Sequence, residues 1–446
     1  MNKKIKVDFL APPFDGHLNP LIEMATKLKD KYDIRFITGK NKNEVLIKSG
    51  FTVENILIEE NEMFEKISDT EEQVKINFFA LKKQFSENLK LIPKAKHEIK
   101  ELIIKNETDI IIADYTVIPA VLCSRDIGLP IITTMPTNFI IENKDGTPAY
   151  FGGLKPLNSI YGNLRDFVAR KQIKLFKKII YYMFYNRIKK LDFTLYNEKG
   201  EENLYSQHSI LGLGMEEFEY ERTWPIQYKF AGSCPETPEY YSKKLSDENI
   251  ETLLGKHYKR KVLVTLGTHL KWAKKTLLQD IEEIARNFEN TLFVVTMGKI
   301  GYEINKLNTK SNNVMIVEYL SYTDYLKEFD YVIHHGGAGI TYNCIKCKIP
   351  SLVIPHDYDQ FDYAARIEYF DVGIRIKNRK NIEDIVKKIN ILFERKDWKN
   401  LEIALGMSKS DAGADGWRGS YQATLMHQQD GTQLNMKYGG FLDGNS

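Results

Sequence analysis

Short apolar runs alternate with amphipathic stretches along the first part of the chain. An apolar run at 5–11 ends at two prolines, and apolar residues recur at helical spacing from about residue 19. Further runs of strand length lie at 32–38, 109–113 and 130–134, and a short helical pattern lies at 120–126. Strands that alternate with helices in this way predict a parallel, doubly wound α/β sheet.

The same alternation weakens between about 147 and 206 and then returns. The strand-like runs of the second half lie at 261–266, 291–297, 314–317, 331–334 and 351–354. Because 446 residues exceed what one hydrophobic core usually serves, two α/β domains are predicted. Their expected limits are 1–230 for an N-terminal domain, 231–260 for a linker, 261–406 for a C-terminal domain and 407–446 for a poorly structured tail.

Composition narrows the function classes. The chain has 63 basic and 60 acidic residues, so its net charge of +3 gives no electrostatic footprint for nucleic acid. Four cysteines are too few for a disulfide scaffold, and no apolar run approaches the length of a membrane span. With no recognisable signal peptide, these features favour a cytoplasmic protein.

A glycine-rich turn follows the predicted strand 331–334. It consists of His335, Gly336, Gly337, Ala338 and Gly339, and a helical pattern follows at 340–347. Glycines let the backbone approach an oxyanion, and a helix N-terminus offers free N–H groups and positive dipole. The turn therefore predicts a diphosphate site, although a tight strand-to-helix connection would need glycine for structural reasons too.

Two polar side chains follow the next predicted strand. Asp359 and Gln360 come after 351–354, at the strand end where doubly wound sheets bind ligands. An acid accepts hydrogen bonds and an amide both donates and accepts, so the pair suits several hydroxyl groups at once. We expect a sugar to bind here.

A histidine stands between the first predicted strand and the first predicted helix, within Gly16-His17-Leu18-Asn19-Pro20. Histidine has a near-neutral pKa and is a common general base, and a carboxylate would fix its tautomer. Asp114, directly after the strand 109–113, is the candidate partner. The alternatives are that His17 caps the first helix and that Asp114 is an ordinary loop carboxylate.

These motifs resemble those of the GT-B superfamily of UDP-sugar glycosyltransferases, which includes plant and bacterial natural-product enzymes. The resemblance rests on the turn at His335, on Ile349-Pro350 and on Asp359-Gln360 at matching spacing, with Gly267-Thr268 where that superfamily has a Gly-Thr loop. It extends from the first strand to about Gly406. The fold it implies is two Rossmann-like doubly wound domains that face a central cleft.

The resemblance also implies roles. His335 and the following amides would hold the diphosphate with help from Thr268, Asp359 and Gln360 would bind sugar hydroxyls, and Tyr319 could stack on the base. Gly16 and His17 belong to the loop that supplies the catalytic base in the superfamily, with Asp114 as its partner. The implied reaction is an inverting displacement with a UDP-sugar as co-substrate, without a metal or a further cofactor.

Three positions depart from the superfamily pattern. Ile340 stands where a Ser or Thr is usual, Asn343 replaces the acid that usually binds the ribose diol, and Lys348 replaces the glycine of Gly-x-Pro. Asn343 stays a candidate for the nucleotide site. In addition, the segment that often reads Trp-x-Pro-Gln beside the base appears here as Tyr319-Leu320-Ser321-Tyr322. Since base and ribose recognition depart most from the pattern, uridine is an expectation from the resemblance alone.

Some features allow other interpretations. Nine basic residues within 165–190 interleave with apolar ones, which could form a basic amphipathic face at the inner membrane surface. The preferred interpretation is a helical pair that lines the acceptor pocket. Cys344 and Cys347 have metal-site spacing but are expected to be packing residues, and His334 is expected to face the core or the acceptor side.

The leading hypothesis is therefore a hexosyltransferase that acts on a hydrophobic small molecule or lipid. Two alternatives share the architecture. One is a sugar-nucleotide epimerase, which would need acids for ring chemistry. The other is a non-catalytic nucleotide-sugar-binding protein that activates a partner enzyme, and such a protein would not need His17 and Asp114.

Overall fold

The computed structural model describes residues 4–60, 78–235, 257–268, 270–299, 309–398 and 400–401 and the isolated positions 238, 249, 252, 253, 255, 302 and 304. Within them the chain forms two entirely parallel β-sheets. The predicted tail 407–446 and most of the predicted linker lie outside the described residues.

The first sheet has seven strands in the order β3-β2-β1-β4-β5-β6-β7. The strands are β1 Lys6–Leu10, β2 Asp33–Thr38, β3 Thr52–Asn55, β4 Ile110–Asp114, β5 Ile131–Met135, β6 Ile210–Gly212 and β7 Tyr228–Phe230. The helices between them are α1 Asp15–Leu28, α2 Asn43–Lys48, α3 Phe78–Asn106, α4 Ile118–Ile127, α5 Ile160–Met183 and α6 Tyr185–Ile188.

The second sheet has six strands in the order β10-β9-β8-β11-β12-β13. They are β8 Arg260–Thr265, β9 Thr291–Thr296, β10 Val314–Val317, β11 Tyr331–His334, β12 Ser351–Val353 and β13 Gly373–Arg375. The helices are α7 Lys271–Ala285, α8 Tyr322–Tyr325, α9 Ala338–Cys347, α10 Gln360–Tyr369 and α11 Ile382–Glu394.

The strand order creates one crevice in each sheet. In the first sheet the order reverses between β1 and β4, and in the second between β8 and β11. Because ligands of doubly wound sheets bind beyond the carboxyl ends of the strands at such a reversal, both crevices are natural binding sites. Two parallel doubly wound sheets confirm the predicted fold class.

Central strands are mostly apolar and buried because helices cover both faces of the sheet. All five residues of β4 and all six of β9 are buried. One face of the first sheet packs against α1 through Leu21 and Ile22, and the other packs against α3 through Ile99 and Ile103. Such mostly apolar strands are what buried parallel sheets require.

The first helix differs from its prediction. It begins at Asp15, so Pro20 lies inside it and His17 belongs to its first turn rather than to a loop before it. The backbone N–H groups of His17 and Leu18 both donate to the carbonyl of Phe14, at 3.0 and 2.8 Å. Leu18 is buried, and this anchors the extra turn to the core.

The segment 165–190 also differs from its prediction. It forms one helix of 24 residues, α5, followed by the single turn α6, and not a helical pair. The side chain of Ser159 caps α5 by accepting from the N–H of Gly162 at 3.0 Å. Among the described residues, no helix is long and apolar enough to cross a membrane.

The two sheets are joined by contacts of α10 with the N-terminal half of the chain. The hydroxyl of Tyr363 donates to the carbonyl of Pro136 at 3.1 Å, and the backbone N–H of Tyr150 donates to Asp362 at 2.9 Å. Arg366 forms an ion pair with Glu219 at 2.8 Å, with both side chains buried. These contacts hold the segment after β12 against the first domain.

Candidate functional site

A histidine and an aspartate meet at the crevice of the first sheet. His17 lies in the first turn of α1, and Asp114 is the last residue of β4. Nδ1 of His17 lies 3.1 Å from each carboxylate oxygen of Asp114. The Asp114 side chain is fully buried while that of His17 is 25% exposed, so the ring remains accessible from the cleft.

The partners of His17 determine its charge state. Burial disfavours the charged ring, but the charge and hydrogen bond of Asp114, with a contribution from Asp359, outweigh burial and raise the pKa of His17. With Nδ1–H donated to Asp114, the neutral ring presents the lone pair of Nε2 to the cleft. This arrangement suits a general base that is held in one tautomer.

Asp359 faces the same cleft from the second domain. It precedes α10 directly, and its Oδ2 accepts a hydrogen bond from the hydroxyl of Thr137 in the first domain at 2.9 Å. Burial raises the pKa of Asp359, and the Thr137 hydrogen bond and the charge of His17 oppose that effect. The predicted sugar-binding carboxylate is therefore near the predicted base.

Gln360 has a structural task that the sequence did not show. Its Oε1 accepts hydrogen bonds from the backbone N–H groups of His356 and Asp357, at 2.9 and 3.0 Å. Two donors occupy the two lone pairs of this oxygen. Gln360 therefore shapes the loop between β12 and α10, and its Nε2 amide is the part that a ligand could use.

The ring of His335 lies between two glycines at the crevice of the second sheet. A Cβ on Gly267 would come within 2.9 Å of Cε1 of this ring, and a Cβ on Gly337 within 2.5 Å of Nε2. Any larger residue at either position would displace the ring. Burial, together with neighbouring His334 and His356, lowers the pKa of His335 well below its usual value, so the ring is neutral.

The neighbouring histidine has a different place. His334 is buried on β11, and its Nδ1 accepts the backbone N–H of Gly336 at 3.1 Å. Burial lowers the pKa of His334 to about 3. The side chain helps to fix the turn, in agreement with the expectation of a core residue.

The turn after β11 leaves a helix N-terminus without a side-chain cap. Gly336 has a φ of +92°, and a Cβ there would come within 2.9 Å of the Gln360 carbonyl. Gly337 is the N-cap of α9, and within the part of the chain that the structure describes no side chain caps it and no acid lies in the first turn. A Cβ on Gly339 would meet no described atom within 4 Å, so the described fold does not require glycine there.

Gly16 resembles Gly339 in that the surrounding structure leaves room for a side chain there. It lies exposed in the first turn of α1, and a Cβ there would also extend into open space. Thr268 follows β8 at the same edge of the sheet as His335 and is half-buried. The structure thus brings Thr268 and His335, predicted at the diphosphate, and His17, predicted as the catalytic base, to the strand ends that border the cleft.

The structure gives less direct support to the residues that are predicted to bind the nucleoside. The amide nitrogen of Asn343 donates to the carbonyls of Pro235 and Gly339, at 2.8 and 3.0 Å. Ile340 packs in the core beside Cys344 instead of facing the turn. Tyr319 is half-buried after β10, at the far end of the sheet order.

Lys348 explains one departure from the superfamily pattern. It closes α9 with a φ of +59°, the left-handed conformation that favours glycine at a helix C-terminus. The following N–H of Ile349 donates back to the carbonyl of Cys344 at 2.9 Å. The glycine usual at this position therefore has a backbone role, which a lysine here fills at some conformational cost.

Sequence reasoning missed three side chains that shape the site. Thr137 carried no motif, although it fixes Asp359. Lys274 on α7 donates to the carbonyls of Gly267 and Met297, at 2.7 and 2.8 Å, and so joins the loops after β8 and β9. The ring of Tyr115 lies 5.7 Å from that of His17, centroid to centroid. The position of Tyr115 directly after Asp114, the predicted catalytic acid, is a signal by which the sequence could have identified it.

The described residues contain no group of three or more His, Cys, Asp or Glu side chains that could hold a metal ion. Cys344 is buried on α9 and Cys347 half-buried, and neither forms a disulfide. Burial raises the pKa of both thiols, which fits packing residues.

Comparison with known proteins gives one class. Residues 294–403 match the family described as erythromycin biosynthesis protein CIII-like, C-terminal domain. The 4'-demethylrebeccamycin synthase of Lentzea aerocolonigenes is 22% identical over 400 residues, which cover 84% of this chain and 88% of that protein. The sterol 3-beta-glucosyltransferase of Saccharomyces cerevisiae is 35% identical over 86 residues, 19% of this chain and only 7% of that protein.

Among solved structures, the glycotransferase of kitacinnamycin superposes with a TM-score of 0.70 at 14% identity, over 95% of this chain and all of that one. That likeness concerns the fold. With the matched family and the relative that spans most of the chain, the two doubly wound sheets identify the protein as a glycosyltransferase with the GT-B fold.

Proposed function

We propose that the protein transfers a hexose from a nucleoside-diphosphate sugar, with UDP as the expected carrier, to a hydroxyl group of a hydrophobic small molecule or lipid. The observation that carries the proposal is the His17–Asp114 pair at the cleft, 3.1 Å apart, with Asp359 near enough to influence His17. A base, its orienting acid and a sugar-binding carboxylate are what direct transfer to a hydroxyl requires.

The proposed chemistry is a single displacement. Nε2 of His17 removes the proton of the acceptor hydroxyl while its oxygen attacks the anomeric carbon, and the bond to the diphosphate breaks. The attack comes from the face opposite the leaving group, so the configuration inverts. Asp114 stabilises the protonated ring, and the bare N-terminus of α9 faces the charge that develops on the diphosphate.

His335 fits the leaving-group side as a neutral donor. Its low pKa keeps the ring uncharged, so it can contribute a hydrogen bond but not a positive charge. The positive end of the α9 dipole would then supply the main electrostatic stabilisation. This division needs no metal ion.

The aromatic surroundings of His17 support a hydrophobic acceptor. The ring of Phe14 lies 6.4 Å from that of His17, and Tyr115 lies 5.7 Å away on another element. Flat apolar side chains around a base suit an acceptor that buries apolar surface, since each such contact stabilises the bound state.

The test is a donor assay on purified protein with a chelator present. UDP-sugars and TDP-sugars are offered with a panel of hydrophobic alcohols and phenols, and products are identified by mass spectrometry. We expect transfer from at least one donor. His17→Ala should abolish turnover while donor binding, measured by calorimetry, persists.

The alternatives give different results. An epimerase would convert the donor sugar without an acceptor. A non-catalytic activator would bind the donor, and neither the wild type nor His17→Ala would show turnover. Equal transfer by wild type and His17→Ala would contradict the base assignment.

A further inference from the structure

The outward face of α5 carries a stripe of exposed apolar side chains. Tyr161, Val168, Leu175 and Tyr182 follow one another at intervals of seven residues, and all four are exposed. Ile160 beside them is 90% exposed, and Leu164 is 60% exposed. Singly exposed apolar residues are common on proteins, whereas a continuous stripe on one helix marks a binding surface.

This stripe is not the face by which α5 packs on the protein. The buried residues of α5 are Gly162, Asp166, Ala169 and Ile180, which lie on the opposite side of the helix. Asp166 accepts a hydrogen bond from Thr147 at 2.7 Å, which fixes that face to the first domain. Helix α5 therefore has one face that packs on the protein and a second, apolar face that is exposed to solvent.

The charge around the stripe is of one sign. Residues 165–190 contain nine basic residues and a single acid, Asp166, which is buried and paired with Arg165. Of the nine, Lys177 pairs with Glu142 and Glu202 and does not add to the exposed charge. Lys171 and Lys178 are exposed, and they lie three residues from stripe members on the same side of the helix. Exposed Arg187, Lys189 and Lys190 extend the charge beyond the end of α5.

This charge pattern argues against a second helix or a second copy as the occupant. A coiled-coil seam needs apolar residues on both lines of the heptad, and here Lys171 and Lys178 occupy the second line. Two copies of this face would bring like charges together. An anionic lipid surface is complementary to both the apolar stripe and the lysines.

We propose that α5 lies flat on an anionic membrane surface, with the apolar stripe at the level of the acyl chains and the basic residues among the headgroups. At 24 residues the helix is about 36 Å long, so it offers an extended line of contact. This membrane-facing surface, defined as the exposed residues of α5 and α6, goes beyond sugar transfer and does not depend on it.

The position of the surface links it to the cleft. Thr147 contacts α5, and three residues further Tyr150 contacts Asp362 of α10, close to Asp359. A protein that rests on α5 would thus hold the cleft near the lipid.

The experiment is co-sedimentation of the full chain with vesicles of phosphatidylcholine, with and without phosphatidylglycerol. We expect binding to the anionic vesicles, little binding to the neutral ones, and a loss of binding at high salt. Lys178→Gln should weaken binding roughly fivefold, from about 1 kcal/mol per basic residue at such a surface. Leu175→Glu should weaken it further, because the stripe then carries a charge into the acyl region.

Ile226→Glu is the matched control. Ile226 is 81% exposed in the first domain but lies outside α5, so its substitution should leave vesicle binding unchanged. Circular dichroism verifies that each variant folds, and donor binding provides a readout independent of lipid.

Two results would overturn the proposal. One is binding that is equal for neutral and anionic vesicles or unaffected by Leu175→Glu. The other is absence of binding to the anionic vesicles. If light scattering then shows a dimer that Leu175→Glu converts to a monomer, the surface serves self-association instead.

Discussion

The hydroxyl of Thr137 donates a hydrogen bond to Oδ2 of Asp359 at 2.9 Å, across the boundary between the two sheets. Thr137 follows β5 in the first domain, whereas Asp359 belongs to the loop before α10 in the second. The proposed sugar-binding carboxylate is therefore held by the domain that carries the proposed base. The proposed sugar site and the contact between the two domains therefore share this hydrogen bond.

Replacing Thr137 by Val should weaken binding of the sugar moiety. The change keeps the shape of the side chain but leaves the buried carboxylate without its donor, which costs about 1–3 kcal/mol. We expect the donor KM to rise by about 5-fold to 150-fold in steady-state assays while binding of the free nucleoside diphosphate is unchanged. Thr137→Ser keeps the hydroxyl and should retain most of the affinity; an equal effect on sugar donor and free nucleotide would contradict the role.

The raised pKa of His17 predicts the acid limb of the pH–rate profile. Only the neutral ring can accept a proton, so activity should be present above the pKa of His17 and lost as pH falls through it. The limb of kcat/KM should therefore lie above the ordinary histidine value of about 6.5. The profile of kcat/KM for the acceptor is measured at acceptor concentrations well below KM, where it reports His17 without the acceptor bound.

Asp114→Asn provides the control for this profile. It removes the charge that raises the pKa of His17 while burial, which lowers it, remains. The limb should shift to lower pH, and the maximum rate should fall because the tautomer is no longer fixed. A limb that stays in place would show that another group titrates.

Nine of the thirteen described strands could be predicted from the sequence because they are largely apolar. The short strands β3, β6, β7 and β13 are not predicted, because three or four residues give too weak a pattern. The runs at 314–317 and 331–334 coincide with β10 and β11. The start of α1 could not be predicted, since Pro20 is a usual sign of a first turn and the sequence did not show that Phe14 accepts two helical N–H groups. Sequence patterns near a helix start therefore fail to predict where the helix begins when contacts in the folded structure determine that position.

The residues of the candidate site also divide into those that a motif in the sequence marks and those that only the fold brings into place. His17, Asp114 and His335 follow strands at positions that motifs mark, and the structure brings each to a crevice. Thr137 and Lys274 have no motif, because their importance comes from contacts with residues far along the chain. The two hydrogen bonds of Gln360 Oε1 are also invisible in the sequence, since they depend on how the loop folds back.

The buried ion pair between Arg366 and Glu219 should make the contact between the domains sensitive to the loss of either charge alone. The guanidinium also lies 4.0 Å from the ring centroid of Phe139 and 4.2 Å from that of Tyr220. Arg366→Met leaves Glu219 buried without its partner, so the free energy of unfolding should fall by about 3–5 kcal/mol. Denaturant titration followed by fluorescence measures the change.

Two further variants check this explanation. The double variant Arg366→Met with Glu219→Leu removes both charges and should recover most of the stability. Lys48→Met breaks the exposed pair with Glu44, which is worth within about 1 kcal/mol, and should have little effect. A double variant no more stable than Arg366→Met would locate the loss in the aromatic contacts instead.

Gly339→Ala separates the fold from the proposed diphosphate site. A Cβ there meets no described atom within 4 Å, and alanine favours the helical conformation, so thermal stability should stay the same or rise by up to about 1 kcal/mol. If the diphosphate binds at the N-terminus of α9, the added methyl group occupies the space of a phosphate oxygen, and calorimetry should show donor affinity lower by about tenfold or more. Gly337→Ala is the opposite case, because its Cβ would displace His335 and reduce both stability and binding. Unchanged donor affinity in Gly339→Ala would place the diphosphate elsewhere in the cleft.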